Sequence, residues 1–103
     1  MNGNAAMLGV DIGGTKIAAA VVTSDGHVVG FNQRHTPAAD GSEAVVEEAL
    51  TVARAALAQS MDAAVVGCGI GTAGTVDTHG VITHATSALP GWAGTDVRAI
   101  FHR

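Results

Sequence analysis

The first apolar segment, Met7-Leu8-Gly9-Val10-Asp11-Ile12, reads as a strand that stops at Gly13-Gly14. Thr15 to Thr23 (TKIAAAVVT) continues as a second strand, because β-branched residues dominate its far end. An Asp25-Gly26 turn signal follows, and Val28-Val29-Gly30-Phe31 opens a third strand. Two tight turns joining three strands predict an antiparallel meander. After a connector from His35 to Gly41, Asp40 and Glu43 have the spacing of a capping box. Val46, Leu50, Ala53 and Leu57 then recur at helical spacing up to about Ser60, with Glu47, Glu48, Arg54 and Gln59 for the wet face.

Residues 62–71 (DAAVVGCGIG) form a short apolar run bounded by glycine, the pattern of a strand buried on both faces beside the first strand. The stretch Thr72 to Thr83 suggests a small hairpin, and Ala85 to Gly94 a loop holding Pro90 and Trp92. Thr95 or Asp96 could cap a last helix. A buried parallel strand needs a neighbour on each side, and the next strand would follow that helix. The chain ends before supplying it, so the order reads as a truncated domain, with residues 1–6 a disordered leader and 7–103 a partial lobe.

Composition narrows the partners. The 103 residues are 48% hydrophobic, which excludes global disorder, yet much of that is Ala and Val with 3% aromatic residues. Five Lys and Arg against nine Asp and Glu give a net charge of −4, with no electrostatic footprint for nucleic acid or an anionic membrane. No apolar stretch is long enough to span a membrane and no signal sequence opens the chain. One cysteine forbids an internal disulfide. The expectation is a cytoplasmic protein.

Of fourteen glycines, eight cluster at Gly13-Gly14, Gly67 to Gly74, and Gly91 to Gly94. In Asp11-Ile12-Gly13-Gly14-Thr15-Lys16, glycine N–H groups, a hydroxyl and the chain's one lysine can face phosphate oxygens. Asp11 could hold Mg²⁺, directly or through water. The spacing is not that of a Walker A loop, and it also fits a plain Gly-Gly hairpin turn. Cys68, in an apolar strand, reads as core, and Trp92 as a packing anchor for its loop. His79 and His84 are too few for a metal site, while Asp77 and Asp96 read as turn or cap residues.

Three motifs carry a resemblance. LGVDIGGTKIAAAVV resembles the first phosphate hairpin of the ROK family of sugar kinases and repressors, within the actin/hexokinase/Hsp70 ATPase superfamily. Gly69-Ile70-Gly71-Thr72-Ala73-Gly74-Thr75-Val76-Asp77 is similar to that family's GIGxxGxVD stretch, and Leu89-Pro90-Gly91-Trp92 to its LPGW loop. The resemblance implies an α/β fold, an RNase H-like (actin-like ATPase) lobe whose mixed sheet has an antiparallel meander and then parallel strands. It implies a glucokinase-like enzyme that binds ATP with Mg²⁺ in a cleft between two lobes, and a hexose near the second and third motifs. By carry-over, Gly13, Gly14, Thr15 and Lys16 would face the phosphates. Gly71, Thr72, Gly74 and Thr75 would line the sugar floor, and Thr86 or Ser87 would donate to a sugar hydroxyl.

The departures from the family pattern are specific. Ala88 stands where many members have a sugar-binding Asn. The family's catalytic Asp and its structural Zn²⁺ site lie beyond Arg103, so this chain alone is expected to be inactive. The full-length protein is expected to be a homo-oligomer acting on small molecules, with no nucleic-acid or membrane partner. Two rivals are a sugar-responsive repressor, which would carry a winged-helix region before the first strand, and a non-catalytic actin-like nucleotide-binding module.

Overall fold

In the computed structural model, which describes residues 5–72, 75–76, 79–84 and 94–96, the meander forms as the apolar pattern requires. Strand β1 (Ala5–Ile12) pairs antiparallel with β2 (Lys16–Thr23), and β2 with β3 (Val28–His35). Helix α1 (Ser42–Ala58) returns the chain to β4 (Ala64–Thr72), which pairs parallel with β1. The four-stranded sheet has the order β3-β2-β1-β4. A separate two-stranded sheet joins β5 (Thr75–Val76) to β6 (Ile82–His84), the expected small hairpin.

Period-two alternation sorts the sheet's two faces. Ala6, Leu8, Val10 and Ile12 of β1 and Ile17, Ala19 and Val21 of β2 are buried, and α1 lies over them. Ile82 of β6 joins the same core cluster and ties the small sheet to the large one. The opposite face carries Met7, Gly9 and Asp11 of β1, with Met7 49% exposed and Phe31 of β3 50% exposed.

Several local readings change. β1 begins at Ala5 because the Ala5 carbonyl accepts a bond from Ser24 N–H and Ala6 is buried, so the strand runs two residues beyond the apolar run. Asp40 does not cap α1. Pro37 opens a short 3₁₀ turn (Ala38–Asp40) whose last residue is Asp40, with its N–H bonded to Pro37 O. Gly41, at φ 96°, then takes the cap position and no side chain caps the helix.

The buried face of α1 is Val45, Ala49, Val52, Ala53 and Ala56, one position round from the expected stripe, while Val46 and Leu57 are only half-buried. The cause is close approach to β3: a Cβ on Gly30 would run into the Ala56 carbonyl oxygen and lie 3.1 Å from its carbon. Small residues must face that point, and Ala56 and Ser60 supply them, while Ala49 and Ala53 keep the rest of the buried stripe small. The side-chain amide of Gln59 then bonds both Phe31 N–H (3.1 Å) and Phe31 O (2.7 Å), standing in for a strand at the sheet's outer edge. Arg34 reaches Glu48 at 3.3 Å from β3 to α1.

β4 is not buried on both faces. It is the edge strand, and no described strand pairs with its outer side. Val66 is 71% exposed, and Val65 and Cys68 are exposed with it, so Cys68 is not a core residue. Along its length β4 is covered mainly on the side of β1, and Ile70 is its one described hydrophobic residue packed against the core cluster. The expected last helix after Thr95 lies outside the described residues. Thr95 itself accepts a bond from Ile82 N–H through its carbonyl, and Asp96 bridges to Val81.

Candidate phosphate and sugar site

The β1–β2 connection is a tight turn over Gly13, Gly14 and Thr15. Gly13 N–H donates to Lys16 O at 2.9 Å and closes it. A Cβ at Gly13 would sit 3.0 Å from that same Lys16 oxygen, so the bond and the missing side chain go together. The turn is also tied to the far side of the sheet. Thr36, just past β3, donates its hydroxyl to Gly13 O at 2.7 Å, and its N–H to Thr15 O at 2.8 Å. A following proline favours extended backbone at Thr36, and the Thr36 N–H bond to Thr15 O carries the strand pairing one residue further.

Around this turn the expected phosphate residues are together. Thr15 and Lys16 are exposed, and Asp11 is exposed at the end of β1. None of the hydrogen bonds or ion pairs among the described residues engages the Asp11 carboxylate or the Lys16 ammonium. Two side chains of opposite charge are thus presented to solvent beside free backbone polarity, which an anion–cation pair such as Mg²⁺-phosphate can satisfy.

The register of β4 on β1 adds the second motif. Asp11 pairs with Gly71 and Ile12 with Thr72, so the end of the GIGT run lies beside the strand that carries the carboxylate. A Cβ at Gly71 would be 3.7 Å from Asp11 Oδ1, ordinary contact, so glycine there keeps the ground next to the carboxylate open. On the open face between them, Gly9, Asp11, Ala18, Ala20, Phe31, Gly69 and Gly71 line a shallow depression. Of the remaining sugar residues, Thr75 is placed by its backbone in β5 opposite His84. Gly74, Thr86, Ser87 and the Leu89–Trp92 loop lie outside the described residues, as does Ala88.

Among the described residues no three His, Cys, Asp or Glu side chains gather as a metal-holding group. A single exposed carboxylate nonetheless suits Mg²⁺, which is commonly held by one or two carboxylates, waters and substrate phosphates. Cys68, on the exposed edge, has its thiol pKa pushed up by partial desolvation, the opposite of an activated nucleophile. At the other end of the sheet, the Thr23 hydroxyl bonded to Asp25 lowers that carboxyl's pKa, helped by the nearby His27. That exposed turn is a hairpin device, remote from the glycine turn.

The glycine punctuation predicts the turn between β1 and β2 where it lies, whereas Thr36 falls in what the sequence shows only as connector. The available signal was a Thr-Pro pair directly after a strand, at the same end of the meander as the glycines.

Residues 7–102 match the sequence model of the ROK family. Among solved structures, a ROK family glucokinase from Streptomyces griseus, in complex with glucose and AMPPNP, is 30% identical with a TM-score of 0.76, over 92% of this chain and 28% of that one. A ROK hexokinase from Thermus thermophilus is 31% identical with a TM-score of 0.79, over 94% of this chain and 31% of that one. An inorganic polyphosphate/ATP-glucomannokinase from Arthrobacter sp. strain KM is 31% identical with a TM-score of 0.74, over 94% and 39%. The chain therefore spans about a third of the length of the kinases it matches. The described helix is not long and apolar enough to cross a membrane. With the family match running nearly end to end and the meander, parallel strand and glycine turn all in place, this chain belongs to the ROK family.

Proposed function

We propose that this chain is the first lobe of an ATP-dependent hexose kinase, in which the Gly13–Lys16 turn holds the phosphates and the Gly71–Thr72 end of β4 floors the sugar. The observation that carries this reading is the β1–β4 register, which sets Asp11 beside Gly71 at the mouth of the Gly13-Gly14 turn. Donor and acceptor subsites must lie within one group-transfer distance, and two neighbouring strand ends satisfy that.

In the reaction, a sugar hydroxyl oxygen bonds to the γ-phosphorus of ATP and the bond to the β-phosphate oxygen breaks, releasing ADP. The hydroxyl proton passes to a carboxylate that the family resemblance puts beyond Arg103. Mg²⁺, when bound, supplies charge neutralisation across the β- and γ-phosphates. Asp11 would hold it, with Lys16 and the turn's N–H groups orienting the phosphoryl oxygens. The chain's own work is positioning, which can supply several kcal/mol of a transfer barrier. A cytoplasmic homo-oligomer is the setting this reading implies.

The test is a coupled assay of ADP release on the complete kinase, across a panel of hexoses with ATP and Mg²⁺, beside the isolated 103-residue chain. The complete protein should turn over at least one hexose and the isolated chain none. A complete protein that phosphorylates no hexose would overturn the reading, as would full turnover by the isolated chain.

A further inference from the structure

We propose that Thr36 is a positioning residue for the phosphoryl donor: it fixes the Gly13–Gly14 peptide so that the Gly14 N–H faces the donor's phosphate. The inference rests on the kinase reading above and adds a residue from outside the glycine motif. Thr36 is half-buried and makes two bonds to the turn, hydroxyl to Gly13 O at 2.7 Å and N–H to Thr15 O at 2.8 Å. Every described peptide bond is trans, so the C=O and the N–H of one peptide unit point in opposite directions.

Drawing Gly13 O toward Thr36 therefore turns the Gly14 N–H away from β3 and outward. That N–H has no partner among the described residues, whereas the Gly13 N–H is spent on Lys16 O. A two-glycine turn held only by its closing bond could rotate the Gly13–Gly14 peptide freely, because glycine accepts both signs of φ. The Thr36 hydroxyl removes that freedom, so the donor is oriented before phosphate arrives. Only a hydroxyl at this position does so. The Thr36 N–H bond to Thr15 O would survive a valine.

The experiment compares Thr36→Val and Thr36→Ser in the complete kinase. Valine keeps the shape and loses the donor; serine keeps the donor. Losing one oriented hydrogen bond should raise KM for ATP and Kd for AMPPNP about 3–10-fold. KM for the hexose should stay within about twofold, and Thr36→Ser should restore nucleotide affinity to within about twofold. A valine variant with wild-type KM for ATP overturns the proposal, and so does equal loss in the valine and serine variants, which would mark a packing role. Amide NMR on the unsubstituted enzyme keeps the test open should valine impair folding. AMPPNP should shift the Gly14 amide and slow its exchange at least about fivefold, with the Gly13 amide little changed. Wild-type turnover with a silent Gly14 amide overturns this inference alone. Absence of both turnover and AMPPNP binding overturns the kinase reading and this inference with it.

Discussion

Replacing Gly30 by alanine should be the most damaging single methyl added to this fold. The Cβ would collide with the Ala56 carbonyl oxygen, 3.1 Å from its carbon and 3.2 Å from Ser60 Oγ. Most of what it meets is backbone, so no side chain can simply swing aside. Relief requires the last turn of α1 to lift from β3, and overpacking of this kind costs about 1–3 kcal/mol. Lifting also strains the two Gln59 bonds to Phe31, at about 1 kcal/mol each. Against this, alanine in a strand gains about 0.5–1 kcal/mol over glycine. The net expectation is a loss of about 2–4 kcal/mol. With a urea slope of about 1 kcal/mol/M for a chain this size, the unfolding midpoint should fall by about 2–4 M, or the protein should not fold at all. Circular dichroism during urea titration measures this, with Gly9→Ala as control. A Cβ at Gly9 meets nothing within 4 Å, so that variant should lose no stability and gain about 0.5–1 kcal/mol from the strand preference alone. If Gly30→Ala unfolds within about 0.5 M of the parent, α1 does not approach β3 as described and the account of its buried face fails.

Asp11→Asn in the complete kinase should lower kcat about 10–100-fold while hexose affinity holds, and unchanged turnover at saturating ATP and Mg²⁺ would rule out the metal-orienting role. Ala88→Asn should change the ratio of kcat/KM between hexoses several-fold with KM for ATP unmoved, because one added sugar hydrogen bond is worth about 0.5–1.5 kcal/mol; a fixed ratio would displace the sugar from that loop. Gln59→Ala should cost about 1–2 kcal/mol and promote association through the uncovered β3 edge, read by light scattering, and a variant as stable and monodisperse as the parent would contradict the capping role. Cys68, whose thiol pKa is raised by desolvation, should alkylate with iodoacetamide more slowly at pH 8 in the folded chain than in urea. The folded state holds that proton longer, so the associated stability is complete below the ordinary thiol pKa and is lost as pH rises through the folded value. Faster alkylation in the folded chain would reverse the assignment.

What the sequence determined follows from local rules. Alternation and glycine punctuation define β1, β2 and the turn between them, and a short apolar run defines β4, because strand periodicity and turn chemistry act over a few residues. The same locality made Asp11 to Lys16 readable as one constellation. Tertiary structure decided the rest. α1 carries Ala, Val and Leu on two adjacent stripes, so its sequence admits either face. The hollow at Gly30 chooses the stripe with the smaller side chains. β4 has the composition of a strand covered twice, but exposure depends on which elements pack beside it, and the described ones cover one side. Thr36 becomes a partner of Gly13, 23 residues earlier, only because the meander brings the end of β3 alongside the β1–β2 turn. The nearness of Asp11 and Gly71 likewise exists only through the β1–β4 register, a pairing set by long-range packing that no local spacing encodes.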